Sequence, residues 1–426
     1  MLDVELIRAN PDAVRSAIRN KGERTDVDAF LRTDEERRGL LTRVESLRSD
    51  RNANSKKVAE IKRSGGDAEP VMARTREISD RIKEIEQELA ELDGEFQAAL
   101  LTFPNVPAPD VQVGRDAQDN IEVRHWGERA TFDFKPKPHW DIARDLDIID
   151  FERATKIAGT FFALYKGTGA RLERALINYM LDLHTARHGY REVSPPFVAT
   201  RKAATGTGQL PKLEEDMYNC EVDDLFLVPT AEVPVTNIHR DEVLDAADLP
   251  VRYVAYTPCF RREAGSYGRD TRGLMRLHQF DKVELVKFVR PDSSYDELEA
   301  LLEDAEKVLQ SLGIEYRVLR LCTGELSFAA AKCYDIEIWA PGIERWLEVS
   351  SCSNYEDFQA RRSNIKFREK GGKPQFVHTL NGSGVALARL VLAIIEQYQM
   401  AEGDVRVPEA LRGYMGGLET ITGEGR

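Results

Sequence analysis

The segment Cys259-Phe260-Arg261-Arg262-Glu263 holds the residues best equipped for chemistry. On a strand, alternation places Arg261 and Glu263 on one face and Arg262 on the other. An arginine beside a glutamate can clamp a phosphate while the carboxylate accepts a hydrogen bond from a base amine. Ala264 to Gly273 is polar and glycine-bearing, hence a loop, and the chain then returns as a strand on which His278, Phe280, Lys282 and Glu284 share a face. Phe280 is placed to stack an aromatic base and Glu284 to hold an amine or hydroxyl. The same hairpin could carry only a surface ion pair and one core phenylalanine. Farther on, Glu348-Val349-Ser350-Ser351 sets a carboxylate beside hydroxyls, a donor set that suits Mg²⁺. Strand parity pairs Glu348 with Ser350, so a role for Ser351 requires a bulge or the strand's end. Asn381-Gly382-Ser383-Gly384 reads as a turn opening a helix with the apolar stripe Leu387, Leu390, Val391, Ile394, Ile395 and Tyr398. Arg389 lies off that stripe, either solvated or clamping a polyphosphate.

Other chemistries find no support. There is no G-x-x-x-x-G-K-[ST] loop, and no G-x-G-x-x-G follows a strand, so a bound nucleotide must be held by side chains. The seven histidines show no metal-ligand spacing, and no Ser/His/Asp order can be argued. The five cysteines (Cys220, Cys259, Cys322, Cys333, Cys352) are odd in number and never paired as C-x-x-C, which reads as reduced thiols rather than a disulfide frame or a zinc knuckle. With 42% hydrophobic and 31% charged residues the chain has material for a core, which excludes a disordered or collagen-like polymer. No apolar run approaches a membrane span, and the start does not read as a signal peptide. The net charge of −13 argues against non-specific coating of nucleic acid but leaves room for a local basic patch.

The elements that must position these residues form two parts. Residues 33–100 read as an antiparallel helical hairpin. Leu40, Val44, Leu47, Val58 and Ile61 go out, and Ile78, Ile82, Ile85, Leu89, Leu92 and Phe96 return, in the 3-4 spacing of a narrow coiled-coil seam. Thr33 with Glu36 suggests a capping box at its start, and Ser64–Asp67 the turn. Residues 48–76 hold eight basic and four acidic side chains, whereas residues 77–96 hold two basic and eight acidic ones. An arm basic at its tip suits phosphates, through Arg51, Lys56, Lys57, Lys62 and Arg63; a solvated coiled coil is the alternative. After the stiff linker Phe103–Pro109, six strand-like stretches with few intervening helices (226–236, 251–258, 276–289, 315–321, 335–340, 345–351) predict an α+β fold with an antiparallel sheet. Ser294–Leu312 and Val385–Tyr398 read as helices.

These residues resemble the bacterial seryl-tRNA synthetases, class II aminoacyl-tRNA synthetases, nearly end to end. Residues 189–196 resemble motif 1, residues 259–280 motif 2, and residues 381–398 motif 3. VPTAEVP, FRREAGSYGRDTRGLMRLHQFDKVE, EVSSCSNYEDFQARR and HTLNGSG are more specific still. The resemblance implies a tRNA-binding domain over 1–102 and a class II catalytic domain over 103–426. It implies that Thr230, Ala231, Glu232, Glu284 and Ser383 hold serine. It assigns ATP to Arg261, Arg262, Glu263, Leu277, Phe280, Glu348, Val349, Ser350, Ser351 and Arg389, with Arg261 on the α-phosphate and Arg389 on the γ-phosphate as the catalytic pair. Glu348 and Ser351 become the Mg²⁺ ligands, which demands irregular geometry in their strand. No zinc is expected. The implied activity is formation of seryl-adenylate from L-serine and ATP, then transfer of the seryl group to tRNA(Ser), with tRNA(Sec) an open second acceptor. A cytoplasmic homodimer without membrane contact is implied as well. A carrier-protein ligase would lack the arm, and an inactive paralogue would be expected to lose Arg261 or Arg389.

Overall fold

The computed structural model of the chain describes residues 1–263 and 272–423. Most of the loop expected at 264–273 therefore lies outside the described residues. The described chain divides into two units, one of residues 2–19 and 23–104, the other of the remainder.

In the first unit two long helices, α1 (Val27–Arg63) and α2 (Glu69–Leu100), form the hairpin. Leu40, Val44 and Leu47 meet Ile78, Ile82 and Ile85 along the seam. At ~1.5 Å per residue α1 is about 55 Å long. It starts earlier than the capping-box reading put it. Asp26 is the cap, its carboxylate accepting from the Ala29 N–H at 2.9 Å, and Thr33 lies inside the helix. The reason is apolar: Phe30 is buried and stacks on Phe96 at 4.9 Å and edge-on to Phe103 at 5.0 Å, extending the amphipathic face by two turns.

The second unit is built on an eight-stranded sheet. Its strands are β1 (Ile121–Trp126), β2 (Arg191–Glu192), β3 (Val251–Phe260), β4 (Gln279–Val289), β5 (Tyr316–Arg320), β6 (Lys332–Ala340), β7 (Arg345–Asn354) and β8 (His378–Ala386). Their spatial order is β1-β5-β6-β7-β8-β4-β3-β2, antiparallel throughout except where the edge strand β2 runs parallel to β3. Around it lie α3 (Gly167–Arg187), α4 (Glu232–Thr236), α5 (Ser294–Ser311), α6 (Phe358–Ser363) and α7 (Leu387–Gln397). Leu298, Leu301 and Leu302 of α5, Leu390, Val391 and Ile394 of α7, and Leu172, Leu176 and Met180 of α3 are fully buried in one core with Val283 and Leu285 of β4. Each such side chain contributes about 1.5–3 kcal/mol by leaving water.

Two readings of local structure need correction. The segment 226–236 is not one strand: a short strand, Leu225–Leu227, gives way to a bend and the helix α4. The Thr230 hydroxyl accepts from the Glu232 N–H at 3.2 Å and turns the chain there. Likewise Asn381–Gly384 is no turn but the middle of β8, with the helix starting only at Leu387. Its glycines serve close packing, since a Cβ on Gly382 would sit 2.8 Å from Cys352 Sγ.

Candidate active site

The sheet's open face, with the bend before α4 and the end of β3, encloses a cavity of about 540 Å³. Thr230, Glu232, Arg261, Glu263, Leu277, Phe280, Glu348, Val349, Ser351, Ser383 and Arg389 line it. Ala231, Arg262, Glu284 and Ser350 do not. Ala231 is buried in a small core with Ala255 and Val286. Glu284, fully buried, stands one layer behind, accepting from Asn381 Nδ2 at 2.6 Å and paired with Lys282.

One end of the cavity is acidic and hydroxyl-rich. Lys282 Nζ donates to the Thr230 hydroxyl at 2.8 Å. Gln359 of α6 donates to Glu232 Oε1 at 2.6 Å. Burial, then the nearby Glu284 charge, push the Glu232 carboxyl up to about 7, with Gln359, Lys282 and Tyr355 pulling the other way. At the other end Arg261 leaves β3 with its guanidinium over the Phe280 ring, 5.2 Å from the centroid, and its Nε donating to Pro229 O at 3.3 Å. Arg262 turns the opposite way, onto Met217 O at 3.0 Å and the Tyr218 ring, as alternation requires. Glu263 pairs with Arg276. His278 does not share the strand face expected for it. It precedes β4, its Nδ1 lies 3.0 Å from Arg261 O, and its ring packs on Phe161, Phe162 and Tyr218.

Two β-bulges decide which side chains reach the cavity. Between β6 and β7, Ile336 pairs with Ser350 and Glu337 with Glu348, leaving Val349 as the extra residue. The bulge shifts parity, so Glu348, Ser351 and Ser353 line the cavity while Ser350 turns away and donates to Ser383 O at 2.6 Å. The parity pairing of Glu348 with Ser350 fails for that reason, and Ser350 offers the cavity no hydroxyl. Between β4 and β8, Lys282 pairs with Ala386 and Glu284 with Ser383, so Val385 sits in a second bulge at φ 106°. A β-branched residue at positive φ is strained, and here the strain lies two residues past the Ser383 hydroxyl.

Arg389, on the first turn of α7, reaches Glu348 O at 2.6 Å and Met275 O at 3.3 Å, with Glu348 Oε2 3.6 Å away. The stretch bearing Met275 is anchored from behind. Leu274 N–H donates to His139 Nε2 at 3.0 Å, so the ring proton is on Nδ1, which lies 2.7 Å from Glu396 of α7. Beside Glu348 and Ser351 lies Asp335, whose carboxyl is held well above its ordinary range by burial and by the Glu348 charge. Three neighbouring oxygen donors, two of them mutually repelling carboxyls, fit a hard divalent cation shared with a polyphosphate. Among the described residues no group of three His, Cys, Asp or Glu side chains is set to hold a metal without such a ligand.

Several pocket residues had no role assigned from the sequence. Ser353 and Asn381 were findable by stepping two residues along a strand from Ser351 and Ser383. Asp335 faces Ser351 across the ladder, and Gln359, which reaches the pocket only through its bond to Glu232, lies within EVSSCSNYEDFQARR, a string noted for resemblance without a role for this residue.

Comparison with known proteins identifies the family. Residues 1–107 match the family model described as the seryl-tRNA synthetase N-terminal domain, and residues 216–398 that of the tRNA synthetase class II core domain (G, H, P, S and T). A serine–tRNA ligase of Clostridium tetani is 55% identical over 99% of this chain and 100% of its own. The crystal structure of seryl-tRNA synthetase from Pyrococcus horikoshii complexed with ATP superposes with a TM-score of 0.94 at 38% identity, covering 99% of this chain and 100% of that one. A cytoplasmic serine–tRNA ligase from Naegleria fowleri in complex with AMP gives 0.88 at 30% identity, over 100% and 99%. With an α+β sheet, a helical hairpin and relatives matched over their full length, the chain belongs to the seryl-tRNA synthetase family of class II aminoacyl-tRNA synthetases.

Proposed function

We propose that this serine–tRNA ligase divides its one cavity between the two substrates of adenylate formation. The observation carrying the reading is that both ends open into the same space: Thr230, Glu232 and Ser383, with Glu284 behind them, at one end, and Arg261, Phe280, Glu348 and Arg389 at the other. Serine enters with its ammonium toward the carboxylates and its hydroxyl among the hydroxyl groups. ATP stacks its base on Phe280, with Arg261 at the α-phosphate and Arg389 at the γ-phosphate. Glu348 and Ser351 would hold Mg²⁺, which when bound supplies charge neutralisation to the triphosphate.

The serine carboxylate attacks the α-phosphorus, forming a mixed anhydride and expelling pyrophosphate. A hydroxyl of the terminal adenosine of tRNA then takes the acyl group and releases AMP. Neither step needs a protein nucleophile, because apposed substrates and fixed charges at the reacting phosphorus are sufficient. The tRNA is gripped by residues 1–102. Lys56, Lys57, Lys62 and Arg63 are exposed, and with the half-buried Arg51 none of the five forms an ion pair among the described residues, so their charge remains for phosphate. A homodimer charging tRNA(Ser) in the cytoplasm, with tRNA(Sec) as a second acceptor, completes the reading. No helix among the described residues is long and apolar enough to cross a membrane. Incubation with serine, ATP and tRNA should yield seryl ester, AMP and pyrophosphate in equal amounts; ADP in place of AMP would rule the reading out.

A further inference from the structure

We propose that Lys282 sets the charge balance of the amino-acid end of the cavity, leaving one uncompensated negative charge there and so selecting a substrate with a single ammonium group; this rests on the serine reading above. Lys282 is 6% exposed on β4, and its ammonium is shared between the Thr230 hydroxyl, 2.8 Å away, and Glu284. The groups acting on the Glu232 carboxyl are Lys282 and Glu284 of β4, Gln359 of α6 and Tyr355, the residue after β7. Asn381 of β8 joins two of them, donating to Glu284 at 2.6 Å and accepting from the Tyr355 hydroxyl at 2.7 Å. Arg261, next along the cavity, has its guanidinium over Phe280 and its Nε donating to Pro229 O, and it is not among the groups that shift Glu232.

Two buried carboxylates and one ammonium sum to a single negative charge when Glu232 is ionised. The ammonium of an incoming amino acid cancels it. A side chain with a second positive charge would overfill the site, and one with a carboxylate would add a third acid beside two others, at a cost that rises steeply where water is excluded. Lys282 also controls how much of the pocket is ready. It opposes the burial and the Glu284 charge that lift Glu232 to about 7, near working pH. A raised carboxyl favours its neutral form, so serine affinity should increase with pH through that value and level off above it.

The test is serine-dependent ATP–pyrophosphate exchange from pH 6 to 9, with KM read separately for serine and ATP. In the unaltered protein, 1/KM for serine should rise with a midpoint near 7 while KM for ATP stays flat. Lys282→Met should move the midpoint upward by about one pH unit and raise KM for serine at pH 7 about fivefold, the drop in the ionised fraction of Glu232 that such a shift brings, with KM for ATP within twofold. Lys282→Arg should restore the midpoint. A merely structural lysine would affect both substrates together and leave the midpoint in place, and that result would overturn the proposal. If Lys282→Met does not fold, the comparison passes to Glu284→Gln alone against Glu284→Gln with Lys282→Met. The double variant keeps one negative charge and should bind serine more tightly than the single; equal or weaker binding counts against the charge balance. Absence of serine-dependent exchange in the unaltered protein is a separate outcome, which removes the serine reading itself.

Discussion

At the scale of single residues, the site depends on side chains that hold charge without packing the core. Arg389 is the clearest case. It sits on α7 among fully buried leucines and isoleucines, yet its guanidinium leaves them for the cavity and for the carbonyls of Glu348 and Met275. Arg389→Ala should therefore leave the fold intact while slowing adenylate formation by about 10²–10³-fold, the usual loss when one charge-stabilising donor at a reacting group is removed. Single-turnover formation of seryl-adenylate measures this, and a near-normal rate would remove the phosphate role. Strand alternation raised Arg261 and Phe280 as candidates, beside the alternative of a surface ion pair and a core phenylalanine, and only the resemblance gave them roles; their shared place in the cavity follows because the hairpin bearing them is regular up to Phe260 and from Gln279 onward.

At the scale of elements, regularity marks the boundary of what the chain's pattern reveals. The long strands, α5, α7 and the hairpin seam follow periods of 2, 3.6 and 3.5, so their existence could be read directly. The bulges at Val349 and Val385 could not, because each inserts one residue that no periodicity announces and reverses the faces beyond it. Ser350 was misassigned to the cavity by that one-residue shift, and Ser351 was placed there only through resemblance. The Asn381–Gly384 stretch failed differently: two glycines signal a turn by composition, but here they let β8 approach its neighbours. Gly382→Ala should accordingly destabilise the protein by about 1–3 kcal/mol, as overpacking against Cys352 and Leu301 forces both to shift. Denaturant unfolding of the two proteins measures the difference. A loss below about 0.5 kcal/mol would mean that β8 has room there and that the glycine serves backbone freedom instead.

At the scale of the whole molecule, recognition and chemistry should separate. The seam residues Leu40, Val44 and Leu47 pack on Ile78, Ile82 and Ile85, whereas Phe30, Phe96 and Phe103 close the hairpin's root. Replacing residues 40–89 by a short turn keeps that root, and should preserve serine-dependent exchange while abolishing tRNA charging. Joint replacement of Lys56, Lys57, Lys62 and Arg63 by Ser should weaken tRNA binding and flatten its dependence on salt, since fewer counterions are released; an unchanged slope would make the hairpin a structural element. The central claim remains that the cavity joins an amino-acid end built for serine to an ATP end, and ATP–pyrophosphate exchange with each of the twenty amino acids tests it most directly. Serine should support exchange, with alanine and glycine slower by about 10⁴ or more, because the buried polar groups that meet the serine hydroxyl are left unpaired without it. Exchange with alanine as fast as with serine, or with serine no faster than the background, would contradict the account.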